Sequence, residues 1–302
     1  MNPETSLCTV GPLAFRFEPQ TGMVRDIRFH GCEILRAIYP AVRDTRWGTL
    51  RPRVGSIDRQ TRGDRLALTF SAHVADADIA LDWHAEIAAD ASGLLVYRWR
   101  GLATQGFATN RTGLCVLHPA EVAGAPCVVE HTDGTSLASW FPSAISPHQP
   151  FKNLRAITHT VAGGAEVTTG MEGEVFEMED QRNWTDASFK TYCRPLEWPR
   201  PYRLESGTVV EQVVRISVRG TPASPENARP TTTAAGASKA ISAPRIGYTL
   251  PEPVPPLLRE RLRSLRPDHL RVEASMADLD STLAWARREA EAIGCALHVA
   301  IV

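Results

Sequence analysis

From Leu7 to about Val218 the chain alternates short apolar runs with turn residues, the signature of successive β-strands. Leu13–Phe17 ends at a Pro19-Gln20-Thr21-Gly22 turn signal. Met23–Phe29 alternates, which places Met23, Arg25, Ile27 and Phe29 on one face and Val24, Asp26 and Arg28 on the other. His30-Gly31 turns the chain into a strand over Glu33–Tyr39. Asp64–Val74 and Ala77–Ile87 predict a pair of long hairpin strands, continued by Leu94–Leu102. Leu114–Leu117 and Cys127–Glu130 are shorter runs, and Val209–Val218 reads as a closing strand. So many antiparallel strands predict a mainly β fold: a large two-layer antiparallel β-sandwich rather than a small barrel.

The pattern then changes twice. Residues 219–243, rich in Pro, Thr, Ala and Ser, hold too few large apolar side chains to offset their ordering entropy, which predicts a flexible linker after a 1–218 sandwich domain. In residues 244–302 the period becomes helical. Arg245–Leu250 predicts a strand. Pro255-Pro256 opens a helix with Leu257, Leu258, Arg261, Leu262 and Leu265 on one face, stopped by Pro267. A strand follows at His269–Glu273. Asp278 or Asp280 caps a second helix, apolar at Leu283, Ala286, Ala290 and Ile293 and ended by Gly294. Ala296–Val302 is a continuous apolar run, expected where both faces of a strand are covered. The order β-α-β-α-β predicts parallel strands with right-handed crossovers, an incomplete (β/α) barrel or doubly wound segment. A barrel needs eight strands, so the missing C-terminal part of the same protein, or an oligomer partner, is expected to cover the last strand.

Composition narrows the function classes. Thirty-three basic and 34 acidic residues in 302 leave a net charge of −1, which points to neither nucleic acid nor an anionic membrane surface. No apolar run reaches spanning length, and the N-terminus lacks the basic flank and apolar core of a signal peptide. Six scattered cysteines without a CxxC pair suggest free thiols in a reducing cytoplasm and no zinc site. His118, His131, His148 and His159 are too widely spaced to predict metal ligation, and Gly-rich phosphate loops, GxSxG and HExxH are absent.

The densest chemistry lies in FEMEDQRNWTDASFKTYCRP, Phe176–Pro195. Acids, bases and large rings at this density fit either a pocket with apolar walls and placed polar groups or a plug whose charges pair among themselves. Glu177 and Glu179 share one side of a strand and can divide acid and base roles, or each can pair with Arg182, Lys190 or Arg194. Asp180 and Asp186, with Asn183, can read sugar hydroxyls; as the plain alternative, aspartate also caps turns. Trp184 or Trp47 can stack on a sugar face, although tryptophan is more often core. In Ser146-Pro147-His148-Gln149-Pro150 two prolines stiffen a loop that can mount His148 as a base beside Gln149, or simply expose a histidine. His131-Thr132-Asp133-Gly134 reads as a plain hairpin turn. Arg43 and Arg46 are placed to pair with carboxylates of the acidic segment.

These stretches carry a resemblance. GMVRDIRFHGCEILR, AVRDTRWGT, NRTGLCVLHP, SPHQPF and above all FEMEDQRNWTDASFKTYCRPL resemble the D-apionate lactonase family, across almost the whole chain outside the linker. The strand pattern also resembles the galactose-mutarotase-like sandwiches that bind sugars on one sheet. The resemblance implies hydrolysis of the lactone of a branched sugar acid in cytoplasmic apiose breakdown. It also implies a β domain, a central TIM-like barrel and a further β domain, a plan from which this sequence departs by ending within the barrel. Opening a lactone needs an activated water, a held oxyanion and a protonated leaving alkoxide. His148 or Glu179 is the candidate base, Arg182 or Lys190 the oxyanion holder and Glu177 the acid. The cofactor stays unassigned, since a metal can replace the base. A glycoside hydrolase with paired carboxylates and a non-catalytic carbohydrate-binding fragment are the alternatives.

Overall fold

The computed structural model describes residues 5–76, 78–161, 164–221, 245–250 and 254–301. They form two compact units, Met1–Thr231 and Thr232–Val302. The expected linker lies outside the described residues apart from 219–221, as do Ala77 and Val302 from two of the expected strands.

The first unit contains β1 (Ser6–Val10), β2 (Leu13–Glu18), β3 (Met23–Phe29), β4 (Cys32–Arg43), β5 (Arg53–Arg62), β6 (Arg65–Asp76), β7 (Ile79–Asp90), β8 (Leu95–Ala103) and β9 (Phe107–Thr109). It continues with β10 (Arg111–Pro119), β11 (Pro126–His131), β12 (Ser136–Trp140), β13 (Phe151–Thr160), β14 (Glu166–Glu172), β15 (Phe176–Asp180), β16 (Ser188–Cys193), β17 (Tyr202–Leu204) and β18 (Val209–Arg219). The main sheet runs β1-β2-β3-β4-β10-β16-β15-β13-β14-β18-β8-β7-β6-β5, with β11 and β12 added beside β13, and β9 and β17 form a separate short pair. Every pairing along this path is antiparallel.

The unit is mainly β, as expected, but its two layers belong to one continuous hydrogen-bonded sheet rather than two. Twist accumulates from strand to strand, and a sheet of this width curls over itself. Its two ends meet in the core: the Phe17 ring of β2 lies 5.4 Å from Phe70 of β6, which lies 5.7 Å from Trp83 of β7. The Tyr97 hydroxyl of β8 donates to the Gly22 carbonyl at 2.8 Å. Gly22, at φ +74°, permits this approach, because a Cβ there would sit 2.8 Å from the Phe70 ring.

Bulges re-aim side chains locally. The even alternation expected across Met23–Phe29 breaks at Asp26, whose φ is +52°. Val24, Ile27 and Phe29 are therefore all buried, while Arg28 faces solvent. The His131–Gly134 hairpin turn forms as expected, with the Asp133 carboxylate accepting from the Thr135 N–H at 2.9 Å.

The second unit is β19 (Gly247–Thr249), α1 (Pro256–Leu265), β20 (His269–Ala274), α2 (Leu279–Ile293) and β21 (Ala296–Ile301), with the strands parallel in the order β19-β20-β21. Leu262, Leu270, Val272, Ala286 and Ala290 form its core. Pro256 starts α1, and Gly294 at φ +84° ends α2, its N–H donating to the Ala290 carbonyl at 2.8 Å. Two expectations are corrected. Leu257 and Leu265 are exposed, which leaves Leu262 as the buried anchor of α1. β21 exposes Val299 and Ile301 instead of burying both faces.

Candidate functional site

The strands β4, β10, β16 and β15 lie side by side, and the period of two divides their residues cleanly. Phe176, Met178, Phe189, Leu114 and Val116 enter the core. The opposite face carries the aligned rows Arg43–Arg111, Tyr39–Cys115–Tyr192–Glu177 and Leu117–Lys190–Glu179. Over this face opens a cleft of about 500 Å³ whose lining includes Arg43, Arg111, Glu179, Gln181, Lys190 and Leu196, with Trp47 and Trp184 as ring walls. Two further clefts, of about 400 and 450 Å³, lie along the β5–β8 end of the sheet.

Arg111 stands at the start of β10, in the first row of the polar face. It is only 3% exposed, its guanidinium lies 3.8 Å over the Tyr192 ring and 5.5 Å from Trp47, and its Nε has no partner among the described residues. Arg43 donates to the Trp47 carbonyl at 3.2 Å, and its Nε is likewise unpaired among the described residues. The Lys190 ammonium lies 3.4 Å from a Glu179 carboxylate oxygen. Burial, with Arg111 and Arg43 alongside, lowers the Lys190 pKa, and Glu179 only partly opposes this. The loop bearing Trp47 is held by Asp44, whose carboxylate accepts from the Arg46 and Gly48 N–H groups at 2.8 and 2.7 Å, and by Asn110, which donates to the Thr45 carbonyl at 2.9 Å.

The other expected residues divide. Glu177 is on the same face as Glu179 but buried beneath the cleft. One of its oxygens accepts from the Tyr192 hydroxyl at 2.8 Å and the Leu196 N–H at 2.6 Å, and the other has no partner among the described residues. Burial and the Glu177 charge raise the Tyr192 pKa, so the phenol stays a donor. Asp180 points away from the cleft and grips Arg182 at 2.9 and 2.7 Å while accepting from the Ser146 N–H at 2.9 Å. Arg182 also donates to the carbonyls of Pro142, Ser143 and Ala144 and lies 4.6 Å over the Phe189 ring. This pair therefore fastens the 142–146 segment. Arg194 is taken up by Glu174 at 2.9 Å.

His148 is exposed and Gln149 half-buried, and neither lines the cleft. Asn183 and Asp186 are exposed on the turn that follows β15, and Trp184 on that turn borders the cleft while 70% exposed. Arg43 and Arg46 form no ion pair with the acidic segment among the described residues. His118 and His159 sit elsewhere, their rings 5.4 Å apart in the core, with no partner on any ring nitrogen among the described residues. Among the described residues no cluster of three or more potential ligands is placed to hold a metal. Sequence reasoning missed Arg111, Tyr192 and Leu196. The available signal was an arginine at the head of an apolar strand, RTGLCVLHP, where a charge needs a reason.

The D-apionate lactonase N-terminal domain family matches residues 1–221. The chain belongs to the D-apionate lactonase family. A D-apionate lactonase from Brucella anthropi is 41% identical over 202 residues, covering 66% of this chain and 33% of that one. The chain thus spans about a third of the length of the curated relative it matches. Among solved structures, a galactose 1-epimerase from Lactobacillus acidophilus aligns at 9% identity and TM-score 0.44, over 73% of this chain and 98% of that one. A glycoside hydrolase family 97 enzyme from a Pseudoalteromonas strain aligns at 8% identity and TM-score 0.49, over 96% of this chain and 53% of that one. At such scores the likeness carries no conclusion about chemistry.

Proposed function

We propose that this chain is the sheet domain and first (β/α) units of a hydrolase that opens the lactone of a branched sugar acid, in apiose breakdown in the cytoplasm. The family match over residues 1–221 is the observation that carries the reading. The parallel β-α-β-α-β order of the second unit supports a TIM-like barrel after a linker at 219–243, completed by further strands of the same protein or by a partner. Six scattered cysteines without a CxxC pair fit a reducing compartment.

The cleft suits the chemistry. Water attacks the lactone carbonyl carbon, the ring C–O bond breaks, and the leaving alkoxide takes a proton, giving a hydroxy acid. Glu179 is the group placed to take the proton from water, and Lys190 and Arg111 face the oxyanion. Glu177 holds Tyr192 and the Leu196 backbone under the cleft and acts as a positioning residue. His148 and Arg182 lie outside it. A glycosidase transition state develops positive charge, and a lining with three cations against one carboxylate opposes that.

The test is acid release. The intact protein containing this chain is mixed with D-apionolactone in a pH-stat. Acid release well above the spontaneous rate is expected, and absence of acceleration on any aldonolactone, with hydrolysis of aryl glycosides instead, overturns the reading.

A further inference from the structure

The cleft holds more positive charge than its own residues balance. Arg43, Arg111 and Lys190 face it, and among the described residues Glu179 is its one carboxylate. Arg111 is more than nine-tenths buried, with an unpartnered Nε and no ion pair among the described residues. Two aromatic faces, Tyr192 and Trp47, lie against its guanidinium. Ring contacts orient a guanidinium but do not satisfy its N–H donors. Lys190 has a carboxylate at 3.4 Å, a longer contact than the usual charge-assisted hydrogen bond. A buried cation without a full partner is costly unless a ligand supplies the missing negative charge.

The rest of the lining says which anion. Glu179 stands in the same cleft and repels a dianion more than a monoanion. The Trp47 and Trp184 rings offer flat apolar walls to the C–H face of a polyol. The Gln181 amide and the Glu179 carboxylate offer partners to hydroxyl groups.

We infer that this cleft binds an open-chain sugar acid, an aldonate, with its carboxylate on Arg111 and Lys190 and its hydroxyls toward Glu179 and Gln181. The identity of the acid rests on the proposed lactone-opening reaction. In that reaction one product carboxylate oxygen comes from the lactone carbonyl and the other from water, so the cations that face the oxyanion also hold the product. The aldonate therefore competes with the lactone, and the protein is product-inhibited by the acid and not by neutral polyols.

Isothermal titration of the intact protein with D-gluconate, D-glucose, acetate and inorganic phosphate tests this. Gluconate is expected to bind at least about tenfold more tightly than each of the other three. Arg111→Met should weaken gluconate binding at least about tenfold with an unchanged circular dichroism spectrum, and Lys190→Met serves in its place if that variant does not fold. Glucose binding as tight as gluconate, phosphate binding tighter than gluconate, or unaltered gluconate affinity in the folded variant overturns the inference. The two readings fail separately. Gluconate binding without lactone turnover removes the lactonase reading and keeps the carboxylate site. Lactone turnover without gluconate binding removes the site.

Discussion

Replacing Arg182 with methionine separates the part of the acidic segment that holds the fold from the part that faces the cleft. The Asp180 side chain is 0% exposed and Arg182 17% exposed, and they meet at 2.7 Å. Methionine keeps the stem over Phe189 but leaves the Asp180 carboxylate with two backbone N–H donors, those of Ser146 and residue 182. It also strips one donor group from the carbonyls of Pro142, Ser143 and Ala144. Breaking a buried pair in this way costs ~3–5 kcal/mol, a large share of the ~5–15 kcal/mol that holds a typical domain. With a urea dependence of ~3 kcal/mol per molar, the unfolding midpoint should fall by ~1–2 M. Asp180→Asn in the same background should cost less than in the parent, since the two sites are coupled by roughly 0.5–3 kcal/mol. The folded Arg182→Met protein should still open lactone at the parent rate, because the pair lies outside the cleft. Urea unfolding followed by tryptophan fluorescence measures the midpoint. A midpoint within about 0.2 M of the parent would refute the clamp.

Acid should destabilise the first unit in two stages. Burial holds the His159 pKa down to about 4 and lowers that of His118 as well. Unfolded histidine takes up a proton near pH 6.5, so stability is complete above that value and falls by up to about 1.4 kcal/mol per pH unit per histidine below it. His159→Phe should flatten the melting-temperature profile between pH 7 and 5, and an unchanged slope would contradict the burial argument. Burial alone would raise the Asp180 pKa, but Arg182 and the Ser146 N–H bring it below the ordinary range; the pair's stabilisation is therefore present above about pH 4 and lost as pH falls further. Gly113→Ala should lower stability by about 1–3 kcal/mol, because φ is +144° and a Cβ would lie 2.3 Å from the Gln212 amide; a wild-type melting temperature would count against this. Tyr192→Phe should cost about 1–3 kcal/mol by withdrawing a donor from buried Glu177, measurable by the same urea titration.

Strands that put a full apolar face into the core were legible in the chain. β6 and β7 alternate strictly, β8 alternates from Tyr97 on, and the sequence places all three close to their observed limits. β5 was not legible, because it is the exposed edge, and its charges protect that edge without an apolar period. β13 escaped because Asn153 takes φ +53° and the register shifts there, which breaks the alternation. The acidic segment was recognised as special, and it holds both kinds of site that its composition allowed: Asp180 and Arg182 as a buried clamp, Glu179 and Lys190 as cleft walls. The division between them depends on which side of β15 each residue leaves, and on a turn that sends Arg182 back toward residues 142–144. Arg111 and Arg43 meet this segment only through the β4-β10-β16-β15 order. That order brings together strands distant in the chain, and no local period records it.

The most direct test of the cleft as the working site is the steady-state kinetics of Glu179→Gln in the intact protein. The substitution keeps the shape of the side chain and removes the one carboxylate that lines the cleft among the described residues. The predicted result is a fall in kcat/KM on the lactone of at least about tenfold, equivalent to roughly 1.4 kcal/mol of transition-state stabilisation, with the urea midpoint close to the parent's. Parent kinetics in the folded variant would contradict the role given to Glu179 and, with it, the placement of lactone opening in this cleft.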